Sequence, residues 1–298
     1  MRELIARQVP FIAFDRDGDL RRLDQLVPGR PEEIDVVTGD VADVNAVCDL
    51  VAERKITSIV HLAALQMPFC RPDPTEGAHA NVLGTLAVFE AARRLGTVKQ
   101  VCYASSAAVF GPEELYGGAT HIGVDAPLAP ATHYGVFKQA NEGAARVYFQ
   151  DDGVSSIGLR PWTVYGLGRD QGLTSDATSA VRAAVHGDDF TLRYSGRNAL
   201  QYARDVAAAF VLCALDDRPG ARQFNLRGEI VEMAEFVAEI ERQIPEAQGR
   251  IQLSGGPIPV VCDLDDTELR AFLPSLPTTS LARGIEETIA DFRRLQGR

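Results

Sequence analysis

Short runs of β-branched and apolar residues alternate with amphipathic stretches through the first half of the chain. The runs Val9–Phe14, Ile34–Val37, Thr57–Leu62, Lys99–Ala104 and Ser155–Arg160 predict strands. Between them, apolar positions recur at helical spacing over Asp43–Arg54, Thr75–Leu95 and Thr132–Gln150, which predicts helices. This alternation implies an α/β fold, a Rossmann-like doubly wound parallel sheet covered on both faces. In such a sheet ligands bind beyond the carboxyl ends of the strands. Asp15, Asp40, Ala63 and Ser105–Ser106 each fall just past a predicted strand and are expected to share one rim.

After Pro161 the rhythm changes. The stretch TVYGLGRDQGLTS is rich in glycine and polar residues and predicts a loop. A helix near Asp176–His186, a short strand at Phe190–Tyr194 and the strand-then-helix segment QYARDVAAAFVLCAL follow. From about Arg222 the chain mixes short strands, a helix near Val231–Arg242, proline-rich connectors and a closing helix near Leu281–Leu295. This part is expected to form a smaller lobe that closes over the rim.

The 298 residues carry a formal charge of −11, which argues against nucleic acid and anionic membrane surfaces as partners. Five scattered cysteines with no CxxC read as free thiols in a reducing compartment. No apolar run approaches a membrane span, and MRELIARQVPF lacks a signal-peptide core, so a cytoplasmic location is expected.

Tyr134 and Lys138 lie four positions apart, on one face of a predicted helix. An ammonium there can hold down the pKa of a phenol, and a phenol so tuned exchanges protons with an alcohol or ketone. Lysine is rare here, at positions 55, 99 and 138 alone, which makes the pair informative. Upstream, YASSAAVFG ends a strand with Ser105 and Ser106, hydroxyls able to hold the same substrate oxygen. A carboxylate at Asp15 suits the ribose hydroxyls of an adenosine, whereas the adjacent Arg16 could accept a 2′-phosphate. Asp40 reads either as a helix cap or as a contact to the adenine amine. The small residues of HLAA, 61–64, allow close backbone approach, with His61 itself read as a packed strand residue. Gly84 reads as a packing position, and no histidine shows metal-ligand spacing, so no metal is expected.

The ordered set Asp15, GDVAD, HLAA, NVLGT, YASSAAVFG, YGVFK, LRPWTVYG and QYARDVAAA resembles the extended short-chain dehydrogenase/reductase superfamily, and within it the NAD-dependent epimerase/dehydratase family. The likeness runs from about Arg2 to the closing helix. It implies an NAD-binding domain over 1–161 with a returning segment at about 200–216, and a substrate-binding lobe over most of 162–298. Tyr134 would be the general acid/base, Lys138 would bind the nicotinamide ribose and lower the tyrosine pKa, and Ser106 matches the catalytic Ser/Thr. The cofactor, NAD rather than NADP, would meet Asp15, Arg16, Asp40, Val41, Leu62, Ala63, Ala64, Tyr134, Lys138 and Pro161. Substrate contacts are expected from Ser105, Gln66, His133, Thr163 and Arg169, with Met67 and Thr132 beside them. The family also implies a homodimer through the helices Thr75–Leu95 and Thr132–Gln150.

The chain departs from this pattern in several places. No GxxGxxG turn, whose backbone would approach the cofactor pyrophosphate, precedes Val9, and MRELIAR resembles the end of the helix that follows such a turn. The corresponding strand would be central, so neighbouring strand edges and apolar faces should be open. The expectation is that Met1 is internal to a longer reading frame; the alternative is weak cofactor binding. Ala107 and Ala108 replace the Asp–Glu pair of the family's dehydratases, and the glutamate of its decarboxylases is missing too, which argues against elimination and decarboxylation. Thr163 and Asn198 stand where nucleotide-sugar epimerases carry a diphosphate-gripping Asn and Arg, with Arg197 one residue off and Arg169 or Arg193 as substitutes. The pattern favours a smaller, carbohydrate-like substrate, a free sugar, sugar acid or related hydroxy compound, oxidised by hydride transfer at a secondary alcohol. A nucleotide-sugar 4-epimerase and a non-catalytic cofactor-sensing protein remain as alternatives.

Overall fold

The structure, a computed structural model, describes residues 1–18, 21–27 and 34–297. The first half runs α1 (Arg2–Ala6), β1 (Ile12–Asp15), α2 (Arg21–Leu26), β2 (Asp35–Thr38), α3 (Val44–Glu53), β3 (Ser58–His61), α4 (Met67–Cys70), α5 (Pro74–Ala78), α6 (Gly84–Leu95), β4 (Gln100–Ala104), α7 (His133–Asp152) and β5 (Ser156–Arg160). The second half runs β6 (Thr163–Tyr165), α8 (Asp176–His186), β7 (Phe190–Leu192), β8 (Arg197–Tyr202), α9 (Ala203–Ala214), β9 (Ala221–Asn225), β10 (Glu229–Glu232), α10 (Met233–Gln243), β11 (Ile251–Leu253), α11 (Thr267–Phe272) and α12 (Leu281–Gln296).

The predicted strands form, with trimmed ends. The first starts at Ile12 rather than Val9, because Pro10 has no N–H to give a ladder and Gln8 turns the chain at φ 56°. Four parallel strands pair in the order β3–β4–β5–β9, and β1 pairs in parallel with β2 as a separate two-stranded sheet. Every residue of β5 is buried, as an apolar run in the middle of a covered parallel sheet should be. No described ladder joins the two sheets. Their connection is side-chain packing: Phe14 of β1 and Ile59 of β3 lie against one core that contains Val47, Val51, Phe89, Val101 and Tyr103. The expected open edges are therefore present at β1 and β3, each with one described partner, and Leu62 at the end of β3 keeps 56% of its surface exposed.

Helix α9 packs on β3, β4 and β5, and β9 extends the sheet beyond the return at 200–216 that the sequence suggested. The second half of the chain adds the mixed sheet β10–β8–β6 and the parallel pair β11–β7. A core beside them joins Tyr165, Val181, Leu192, Phe236, Ile240 and Ile285, drawn from strands and from α8, α10 and α12.

The expected single helix over Thr75–Leu95 is instead α5, a five-residue π turn at His79–Leu83, and α6. The cause lies in the side chain of Asn81. Its amide nitrogen donates to the carbonyls of Gly77 (2.8 Å) and Leu65 (3.0 Å), which displaces the regular i→i−4 ladder at that point. The backbone carbonyl of Asn81 receives Thr85 Oγ1 (2.7 Å) and Asn141 Nδ2 (3.0 Å), which fastens the bulge to α7. Gly84 is a packing position as expected, since a Cβ there would press on Val41.

Candidate active site

The parallel strands deliver Asp15, Asp40, Ala63, Ser105 and Ser106 to one edge of the sheets, where α7 begins. Thr132 caps α7 by accepting the Gly135 N–H at 3.1 Å. Ser106 starts a short 3₁₀ turn, 107–109, by accepting the Ala108 N–H at 3.1 Å. These two turns touch through Gly135, where any Cβ would overlap the Ala108 carbonyl oxygen. The close approach brings the Ser106 hydroxyl beside Tyr134, where it favours the charged form of the phenol.

Lys138, one turn further along α7, is buried, donates to the Ala104 carbonyl at 2.6 Å and lies 5.5 Å from the Tyr134 ring centroid. Burial lowers its pKa from an ordinary 10.5 to about 8. Burial raises the phenol of Tyr134, while Ser106 and the charge of Arg169 pull it back down. The lowering expected from Lys138 is thus supplied in this structure by Ser106 and Arg169. Cys70, buried on α4, sits beside both members of the pair and donates to the Leu65 carbonyl at 3.2 Å. Its thiol is pushed up by burial, against smaller opposing pulls from Asn81 and Lys138. Sequence spacing gives no sign of this neighbour, because it is brought in by a four-residue helix with Pro68 in its first turn.

Over the phenol lies a cleft of about 610 Å³ lined by Met67, Cys70, Arg71, Thr132, His133 and Tyr134, among others. His133 is exposed and stacks on Phe137, their centroids 6.2 Å apart. Arg169, in the loop after β6, approaches this region through Gln66, the residue before Met67. Its guanidinium donates to the Gln171 carbonyl, to Thr174 Oγ1 (2.9 Å) and to Gln66 Oε1 (3.3 Å). Tyr134, Ser106, Lys138, His133, Gln66 and Arg169 thus lie in neighbouring positions around the start of α7 and α4.

Two expected substrate contacts do not. Ser105 is buried and its hydroxyl donates to Glu142 Oε1 at 2.5 Å. That carboxylate is held by Arg160 through two bonds of 2.8 Å, so Ser105 belongs to a buried ion-pair brace. Thr163 is also buried, with its hydroxyl donating to Asn198 Oδ1 (3.3 Å) across β6 and β8. That hydroxyl is therefore engaged between β6 and β8.

At the other end of the rim, Asp15 is exposed and accepts the Asp17 N–H at 3.0 Å, while Arg16 pairs with Glu76 at 3.2 Å. Asp40 accepts the Ala42 N–H and is not the cap of α3, a role taken by Asp43. Val41 packs into the core behind it. Leu62, Ala63 and Ala64 form an apolar strip, and the Pro161 carbonyl is engaged by the Ala107 N–H at 2.9 Å. His61 is buried, bonded to Thr85 at 3.0 Å and kept neutral by a pKa lowered to about 3, the packed strand residue expected. The rim fits a dinucleotide at its two ends. The exposed Asp15 carboxylate suits ribose hydroxyls, and the Lys138 ammonium has N–H groups beyond the one given to Ala104. The stretch between them, which would face a pyrophosphate, has no glycine-rich turn among the described residues. Among those residues no group of three or more His, Cys, Asp or Glu is placed to hold a metal ion, and no helix is long and apolar enough to cross a membrane.

Comparison with known proteins places this geometry. The model of the NAD dependent epimerase/dehydratase family matches residues 1–226. A UDP-glucose 4-epimerase of Mycolicibacterium smegmatis is 30% identical over 294 residues, covering 91% of this chain and 90% of that protein. A uronate dehydrogenase of Pseudomonas syringae pv. tomato is 33% identical over 153 residues, 51% of this chain and 50% of that protein. Among solved structures, a Thermus thermophilus UDP-glucose 4-epimerase in complex with NAD superposes with a TM-score of 0.82 at 24% identity, covering 98% of this chain and 93% of that one.

Proposed function

The chain belongs to the NAD dependent epimerase/dehydratase family, and within it we propose an oxidoreductase that removes hydride from a secondary alcohol of a free, carbohydrate-like substrate. The observation that carries this reading is Tyr134, which lines an open cleft with Ser106 beside it and the Lys138 ammonium 5.5 Å from its ring centroid.

In this reading NAD, when bound, supplies the acceptor for the hydride that leaves the carbinol carbon. Ser106 and Tyr134 hold the substrate hydroxyl between them, and the phenolate form of Tyr134 takes its proton as the carbonyl forms. Burial raises the phenol overall, and Ser106 and the charge of Arg169 oppose that rise. Lys138, oriented by the Ala104 carbonyl, would hold the nicotinamide ribose. Ala107 and Ala108 offer no acid or base for elimination, so the chemistry ends at the ketone or its reversal.

Substitution of Tyr134 by Phe leaves the ring and removes the proton-transfer group. NADH formation from a panel of free sugars, sugar acids and nucleotide sugars should fall by about 10³-fold, within the range for losing a general acid/base. Equal turnover by the variant would remove Tyr134 from the chemistry. A second reading, nucleotide-sugar 4-epimerase, is favoured by the similarity to the mycobacterial enzyme over most of both chains. It predicts conversion of a nucleotide sugar without net NADH. Engagement of Thr163 with Asn198 favours the free substrate, as does the partial similarity to a uronate dehydrogenase. A homodimer through α6 and α7 fits the same family, with Leu83, Val136 and Val147 exposed along those helices and the adjoining π turn.

A further inference from the structure

We propose that Glu76 sets a preference for NAD over NADP by engaging the Arg16 guanidinium that a 2′-phosphate would need, a proposal that rests on Asp15 meeting the adenosine ribose. The end of β1 offers both recognition chemistries side by side. The Asp15 carboxylate suits the free hydroxyls of a ribose, while an arginine in the next position can accept a 2′-phosphate instead. On sequence alone, Arg16 leaves both dinucleotides open. In the structure Arg16 Nη1 donates to Glu76 Oε1 at 3.2 Å, a described ion pair between residues 60 positions apart.

The backbone beneath Glu76 is pinned on both sides. Asp73 caps α5 by accepting the Glu76 N–H at 2.9 Å, and Pro74 opens the helix. Gly77, the next residue, packs so closely that a Cβ there would meet Cys70 Sγ at 3.0 Å and Phe137 at 3.1 Å. Neighbouring charges act in the same direction. The Gly39 N–H donates to the Asp15 carbonyl at 2.9 Å, so Asp40 leaves β2 next to Asp15. Asp40 in turn lies 4.0 Å from His79, which follows Glu76 by three positions. Asp15, Asp40 and Glu76 thus give this end of the rim three carboxylates. A ribose hydroxyl can donate to such a group, whereas a 2′-phosphate brings about two negative charges against them.

Exposure makes this contact a selector and not a strut. The side chains of Arg16 and Glu76 are 68% and 47% exposed, so their pairing adds little to stability. What it changes is the charge that an incoming ligand meets. In water, removing one negative charge about 4–5 Å from a doubly charged phosphate raises affinity by about 10-fold.

The test measures equilibrium binding of NADH and NADPH to the full chain by nucleotide fluorescence. No substrate is present, so the result does not depend on which alcohol is oxidised. The parent should bind NADH the tighter. Glu76→Gln should raise the affinity for NADPH by about 10-fold and leave that for NADH within about 3-fold of the parent's. Adding Arg16→Ser to Glu76→Gln should abolish the gain, and raising salt to about 1 M should shrink it. An NADPH affinity in Glu76→Gln within about 3-fold of the parent's would overturn the proposal. So would a gain kept without Arg16, a gain indifferent to salt, or a parent that binds both dinucleotides alike. If the parent binds neither, the cofactor reading of the rim fails and this proposal fails with it.

Discussion

Replacing Glu142 by Gln tests how the proton-transfer corner is braced. The Glu142 and Arg160 side chains are only 7% and 4% exposed and meet through two bonds of 2.8 Å. Arg160 also donates to the Val124 carbonyl (2.8 Å) and lies 5.0 Å from the Phe110 ring centroid, while Ser105 donates to the same carboxylate. Glutamine keeps the shape of the side chain, removes its charge and turns an N–H group toward a guanidinium that has only donors. Opposite charges about 4 Å apart attract by about 4 kcal/mol at an effective dielectric constant of 20. Removing one partner of a buried pair costs about 3–5 kcal/mol, because the other charge is left uncompensated. Glu142→Gln should therefore lose about 3–5 kcal/mol in urea unfolding. The single tryptophan, Trp162, is two residues from Arg160 and bonded to the Val261 carbonyl at 2.8 Å, so its fluorescence can follow the transition. The double variant Glu142→Met with Arg160→Met should recover more than half of the loss, since an apolar pair of similar volume needs no compensation. A loss below about 1 kcal/mol in the single variant, or a double variant no better than the single, would refute the argument from uncompensated charge.

Lys138 ties stability to pH. Its folded pKa of about 8 lies below the ordinary 10.5, so between these values the unfolded chain binds the extra proton. The cost of burying the ammonium is full below pH 8 and fades as pH rises towards 10.5. Lys138→Met should gain most on the parent below pH 8 and lose that advantage through the window; a difference in urea midpoints that stays flat with pH would contradict this. For assembly, light scattering at micromolar concentration should give twice the 32.3 kDa chain mass, and a monomer would refute the dimer.

The sequence was most readable where local signals agree. Asp43 before an amphipathic run placed α3, and Thr132 before YGVFK placed α7, each to within a residue or two. The rim followed from strand ends, which needs no tertiary information. Ser105 and Ser106 were harder to separate, because successive residues leaving a strand point to opposite sides. One meets Glu142, 37 positions away, and the other meets Tyr134. The π turn escaped notice because its cause, the reach of Asn81 to Leu65 and of Asn141 to Asn81, joins three separate segments. Thr163 pairs with Asn198 only through the β6–β8 register, which sets Thr163 opposite Leu200. Ala221–Asn225 gave little warning of β9, since only Phe224 among its five residues is strongly apolar.

The division of the parallel strands into two sheets has a mechanical consequence. Asp15 stands on the β1–β2 pair, and Ser106 and Lys138 stand on the four-stranded sheet and its helix. Across the seam between them the described contacts are side chains packed in a common core, with no ladder to shear. Small tilts of the β1–β2 pair therefore cost some van der Waals contact but break no described backbone hydrogen bond.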